Sequence, residues 1–207
     1  MISEYQYGTF ANYSPRGRGK QSIRSRQICG HVKKGSLPLL ESMISNFVKP
    51  ECAPLLDLFD NRMLVPIPKS SPKQANVLWP SLIICNQLLH NGYGVEVVEG
   101  VQRTAPIQKS AFASAKNRPT VAQQMETLKC TLNLISNPNI TLIDDVLTQG
   151  TTSVACAEII KSVLPHSDIR IFSVIRTQGL VPDIETLVDP STGTIKYFKS
   201  GKVFREP

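Results

Sequence analysis

A chain of 207 residues, 41% apolar and 19% charged, is long enough to bury a core and has the composition of an ordinary globular domain. No stretch is apolar for long enough to span a bilayer, and the N-terminus lacks the basic-then-apolar order of a secretory signal, so no membrane partner and a cytoplasmic location are expected. The net charge of +7 suits anionic ligands. Cys29, Cys52, Cys85, Cys130 and Cys156 are odd in number and scattered, without CxxC or Cys/His ligand spacing, and His31, His90 and His166 are equally dispersed. Reduced thiols and no metal site built from protein ligands are expected.

In chain order, residues 1–60 come first. Arg16, Arg18, Lys20, Arg24, Arg26, Lys33 and Lys34 crowd a segment short of carboxylates, near Tyr5, Tyr7, Phe10 and Tyr13. Cations attract a phosphate backbone and aromatic rings stack on bases, so this segment reads as an arm for nucleic acid or a protein partner. It reads equally as a solvated loop-and-helix extension packed on the domain, since it carries no RNA-binding or helix-turn-helix signature.

Met63 to Ile67 reads as a strand that runs into Pro66-Ile67-Pro68-Lys69-Ser70-Ser71, where two prolines so close together mark a rigid loop. Such a loop either holds a pyrophosphate, with Lys69 supplying a cation, or is a proline-stiffened turn without a ligand. Val77 to Leu89 reads as a helix ended by Asn91-Gly92, and Val95 to Val98 as the next strand. From Arg103 to about Gln124 the chain is polar, and Arg103, Lys109, Lys116 and Arg118 would neutralise an anion or form a solvated basic loop.

Ile140 to Thr152, I-T-L-I-D-D-V-L-T-Q-G-T-T, is the most informative stretch. Ile140, Leu142 and Ile143 are β-formers in a run too short for a helix and read as an interior parallel strand. It delivers Asp144 and Asp145 to its carboxyl end. Gly150 then permits a tight turn, and Thr148, Thr151, Thr152 and Ser153 add hydroxyl donors to bare amides at a helix start, an arrangement suited to phosphate. Val154, Ala157, Ile160 and Leu164 form one apolar face of that helix, which Pro165 closes. Two adjacent buried carboxylates would be costly unless they met sugar hydroxyls, a cation or a basic group. The plainer reading is an acidic turn followed by a generic threonine cap. Ile169 to Ile175 is a further strand, and Ile184 to Val188 and Thr194 to Phe198 are expected to form a hairpin around Asp189-Pro190-Ser191-Thr192-Gly193, with Ser200-Gly201 as another turn.

In these segments the chain resembles the type I phosphoribosyltransferases. Ile140 to Thr152 is similar to their signature for 5-phosphoribosyl-1-pyrophosphate (PRPP): mostly apolar residues, two acids, two apolar residues and a threonine-glycine loop. Gln149 stands where those enzymes usually carry a small residue, commonly threonine. Val65-Pro66-Ile67-Pro68 resembles the V-P-x-P pyrophosphate loop of ComF-like proteins and amidophosphoribosyltransferases, and Arg103 to Gln108 resembles an R-x-x-x-x-Q segment of the ComF-like subgroup.

The resemblance implies a three-layer α/β fold with a mainly parallel central sheet and helices on both faces. Residues 61–178 would be its core, 1–60 a basic N-terminal extension and 179–207 a C-terminal β-hairpin extension; one or both extensions would be the hood that selects the nucleophile. It further implies binding of PRPP or a phosphoribosyl nucleotide, with Mg2+ carried in by the pyrophosphate, and transfer of phosphoribosyl to a nitrogenous acceptor. In that scheme Asp144 and Asp145 hold the ribose hydroxyls. Thr148, Gln149, Gly150, Thr151 and Thr152 cradle the 5′-phosphate; Pro68, Lys69 and Ser70 take the pyrophosphate side. Arg103 or Arg118 closes from a mobile loop over 103–124. Gln149 and the basic extension also admit a non-catalytic regulator that senses PRPP or nucleotides, or a nucleic-acid-associated subunit; a toxin-like effector of a defence system is a third reading. A homo-oligomer is compatible with all of them.

Overall fold

The computed structural model describes residues 2–108, 118–132, 137–178, 181 and 183–207. In chain order its elements are β1 (Ser3–Tyr13), α1 (Lys20–Lys33), α2 (Leu37–Ile44), two short 3-10 turns, and α3 (Ala53–Leu56). There follow β2 (Met63–Pro66), α4 (Pro80–His90), β3 (Glu96–Val97), β4 (Val101–Arg103), α5 (Val121–Met125) and β5 (Leu128–Cys130). The chain ends with β6 (Asn139–Leu147), α6 (Thr151–Val163), β7 (Asp168–Thr177), β8 (Val188–Tyr197) and β9 (Val203–Glu206).

Seven strands form one sheet in the order β3-β2-β6-β7-β1-β8-β9. The first five run parallel, and β8 and β9 add antiparallel to β1 and to each other. Strand alternation divides the apolar side chains between two faces. Met63, Val65, Ile140, Leu142, Ile169 and Ile171 meet Val154, Cys156 and Ile160 of α6, and Val121 of α5. Leu64, Ile143, Phe172 and Val174 meet α1, α2 and α4 through Val32, Leu40, Ile84 and Leu88. The result is the expected α/β architecture, a mainly parallel sheet with helices on both faces. On the second face Phe47, from the first 3-10 turn, sits within 5.3 to 5.8 Å of the rings of Phe10, Tyr93 and Phe172.

The sheet runs across the boundaries expected near residues 60 and 178. β1 lies between β7 and β8, and Tyr5, Tyr7 and Phe10 are 1 to 2% exposed, so of the two readings of this segment these rings fit an extension packed on the domain and not an arm that stacks on bases. Burying rings of this size against two cores outweighs the polar residues that alternate with them.

At the C-terminus a hairpin is present, but its strands differ from the expected ones. Residues 189–193 continue β8 instead of turning, and the hairpin is β8 with β9 around the Ser200-Gly201 turn. Pro190 falls where the β1–β8 register shifts between Thr9 and Ala11, so its missing N–H breaks no regular ladder bond. Gly193 lies against the backbone of Glu206 and Pro207 and the Tyr7 ring, and an added Cβ would be 2.6 Å from the Pro207 carbonyl carbon and 2.8 Å from Tyr7 Cε1. The helix expected from Val77 begins at Pro80, which occupies its first turn.

At the amino ends of the strands Arg62, 3% exposed, donates to Thr141 Oγ1 at 3.0 Å, to the Ile140 carbonyl at 2.8 Å and to the Asp168 carboxylate at 2.7 Å. This guanidinium ties β6 to β7 at the edge opposite the acids.

Candidate functional site

β6 is buried from Ile140 to Ile143 and carries Asp144 and Asp145 toward its carboxyl end, between β2 and β7. The Ile67 N–H donates to the Ile143 carbonyl at 2.9 Å, so the chain after β2 leaves the sheet directly beside the acid pair. Three outside donors then fix the Ile67–Ser70 loop. Trp79 Nε1 donates to the Ile67 carbonyl at 2.8 Å, Arg103 Nε to the Lys69 carbonyl at 3.1 Å, and Ile107 N to the Ser70 carbonyl at 2.8 Å. The Lys69 ammonium reaches the Leu78 carbonyl at 3.0 Å in an exposed contact.

On the other side of Asp145, Gly150 takes φ 86° and an added Cβ would be 2.6 Å from Ile195 Cδ1. Glycine is required there for both backbone and space. No side chain caps α6, and the first bond of its ladder runs from Val154 N to the Gly150 carbonyl. The amides of Thr151, Thr152 and Ser153 precede that bond, have no acceptor within the helix, and belong to residues that line the pocket. Backbone amides without helical acceptors at a helix start are suited to an anion.

These segments enclose an open pocket of about 540 Å³, within the usual range for a small-molecule site. Pro68, Lys69, Ser70, Arg103, Arg118, Asp144, Asp145 and Thr148 to Thr152 all line it. Arg103 differs from its expected part in a closing loop: it ends β4 and is 5% exposed. Its guanidinium donates to the Gln124 carbonyl at 3.3 Å, Gln124 Oε1 at 2.9 Å and Thr127 Oγ1 at 2.5 Å, besides Lys69. These bonds clamp the β4–β5 stem to the loop after β2. They use four of the five guanidinium N–H groups, and no carboxylate pairs with the cation among the described residues. Arg118 is exposed at the rim. Lys109 and Lys116 lie outside the described residues.

Asp144 and Asp145 each accept a hydrogen bond from the next backbone N–H, at 2.9 and 2.8 Å. One edge of Asp144 reaches the pocket, yet the protein packed around its carboxyl pushes its pKa well above the ordinary carboxylate range; repulsion from Asp145 adds to this and Lys33 opposes it. Cys156 lies within the field of Asp144 and Arg103, but burial pushes its thiol up to about 12, which removes it as a nucleophile. The chemistry open to the pocket is therefore anion binding, hydroxyl recognition by carboxylate, and stabilisation of charge.

Of the seven cations read as an arm, Lys33 lines the pocket at the last turn of α1. Arg26 is committed to the carbonyls of Ser14 and Gly17, at 3.1 and 2.8 Å. Arg16, Arg18, Lys20, Arg24 and Lys34 are exposed and line no part of the pocket. Lys33, Gln124 and Trp79 are parts of the site that sequence reasoning missed. Only the single tryptophan beside the proline loop offered a signal, because Lys33 and Gln124 arrive through tertiary packing.

No protein-family model and no curated protein matches the chain. Among solved structures, it is similar to a hypoxanthine phosphoribosyltransferase from Staphylococcus aureus, at 17% identity over 70% of each chain and a TM-score of 0.37. An adenine phosphoribosyltransferase from Leishmania donovani is 14% identical, over 82% of this chain and 76% of that one, with a TM-score of 0.29. Neither likeness bears on the residues of the site.

Proposed function

We propose that the pocket binds PRPP with Mg2+ and that the protein transfers its phosphoribosyl group to a nitrogenous acceptor, releasing pyrophosphate. One observation carries this reading: the acid pair with the uncapped α6 amides, Lys69 and Arg103, from three separate segments, line a single pocket. The α6 amides and Thr148 to Thr152 bind the 5′-phosphate. Asp144 and Asp145 accept hydrogen bonds from the ribose hydroxyls. Lys69, Ser70 and the remaining N–H of Arg103 face the pyrophosphate.

Breaking the C1–O bond leaves an oxocarbenium-like centre and places charge on pyrophosphate, so orientation and fixed donors carry the catalysis. A hard cation such as Mg2+ would arrive on diphosphate oxygens and keep most of its waters. When bound, that cation would neutralise charge on the leaving group, and Asp144 and Asp145 would help to hold it.

A second reading, a regulator that binds PRPP without consuming it, is favoured by the exposed Gln149 in the phosphate loop. Phosphorus NMR of PRPP with the protein, Mg2+ and a panel of nucleobases and simple amines separates the two. Free pyrophosphate appearing only with an acceptor supports transfer. Bound but intact PRPP across the panel would replace the transferase with the regulator.

A further inference from the structure

The pocket leaves the outward face of α1 unused. Lys20, Arg24, Gln27, His31 and Lys34 recur at alternating steps of four and three residues and are all exposed, while Ser22, Ser25, Cys29 and Val32 are buried on the opposite side. At 1.5 Å per residue this stripe is about 21 Å long, and the exposed Arg18 extends it before the helix. No carboxylate forms an ion pair with these cations among the described residues, and the chain has no acid between Glu4 and Glu41. The acid that approaches the helix start, Asp183, accepts from the Gly19 amide at 2.7 Å and the Ser22 hydroxyl at 2.8 Å. Lys20, Arg24 and Lys34, with Arg18 before them, are therefore exposed cations that share one face of the helix and form no ion pair among the described residues.

We propose that this face of α1 binds the phosphate backbone of a nucleic acid without reading its sequence. A helix that lies on an anionic membrane needs an apolar face turned the same way, and Ile23 is the one large apolar side chain exposed along α1. Tyr5, Tyr7 and Phe10 are in the core and cannot stack on bases, so the contact rests on the cations and the phosphates they meet. The binding itself does not depend on what the pocket holds.

Fluorescence anisotropy of a labelled 20-nucleotide RNA of mixed sequence, with the full chain, tests the proposal. With Arg18, Lys20, Arg24 and Lys34 on four phosphates, affinity falls about 50-fold between 50 and 200 mM salt, the expectation for single strands. Lys20→Gln/Arg24→Gln/Lys34→Gln, helix-compatible by circular dichroism, loses at least about tenfold in affinity and most of the salt dependence. The charge-keeping Lys20→Arg/Arg24→Lys/Lys34→Arg variant keeps both. Titration of the glutamine variant with PRPP separates this surface from the pocket, since none of the three residues lines it. Absence of RNA binding at 50 mM salt, equal binding by the glutamine variant, or tighter binding to phosphatidylserine vesicles would overturn the proposal.

Discussion

Asp144 is raised by burial, raised further by the Asp145 carboxylate one residue away, and lowered by Lys33. A carboxyl whose pKa is higher folded than unfolded favours the fold when protonated; that contribution is lost as pH climbs from about 4, the ordinary aspartate value, through the raised folded value. Above about pH 4 the buried carboxyl of Asp144 thus costs the unliganded protein stability relative to a neutral side chain. Asp144→Asn should raise Tm at pH 7 by about 2 to 4 °C, the shift of about 1 kcal/mol in a chain of this size, with the gain shrinking toward pH 4 in a series of thermal melts. A fall in Tm at neutral pH would contradict the electrostatic account. Gly150 is constrained in the opposite sense. Gly150→Ala must adopt φ 86° and push against Ile195, so about 1 to 3 kcal/mol of stability should be lost in denaturant titration, together with PRPP affinity.

At the scale of elements, the strand–loop–helix unit of β6 and α6 was legible because its information is local: an apolar run, two acids, a glycine with positive φ and a helical apolar face. β2, α4, β3 and β7 were read within a few residues for the same reason. β1 was not. Its eleven residues mix Ser, Glu, Gln, Gly and Asn with three tyrosines and a phenylalanine, and only pairing with β7 and β8 makes them a strand. β8 was misread because Pro190 and Gly193 are turn formers that a register shift and a close tyrosine ring accommodate. The first 3-10 turn was not anticipated either, although its Phe47 is 2% exposed in the aromatic cluster. Phe47→Ala should cost about 3 to 5 kcal/mol in urea unfolding; a loss below about 1 kcal/mol would mean that the cluster contributes little.

At the scale of the molecule, a mainly parallel sheet places one end of its central strands beside loops from four segments, and the pocket lies there. The acid pair and phosphate loop of that pocket could be read from one short stretch of sequence. The Arg103 clamp through Gln124, Thr127 and Lys69 could not, because it joins residues far apart in the chain. Lys33 was likewise hidden within a basic segment whose remaining exposed cations face elsewhere. The most direct test is isothermal titration with PRPP and Mg2+ of the wild type and the Asp144→Asn/Asp145→Asn variant. Saturable binding by the wild type, lost in a folded double variant, is the predicted result. Equal binding by both would remove the carboxylates from the ribose site, and no binding by the wild type would contradict the PRPP reading of the pocket.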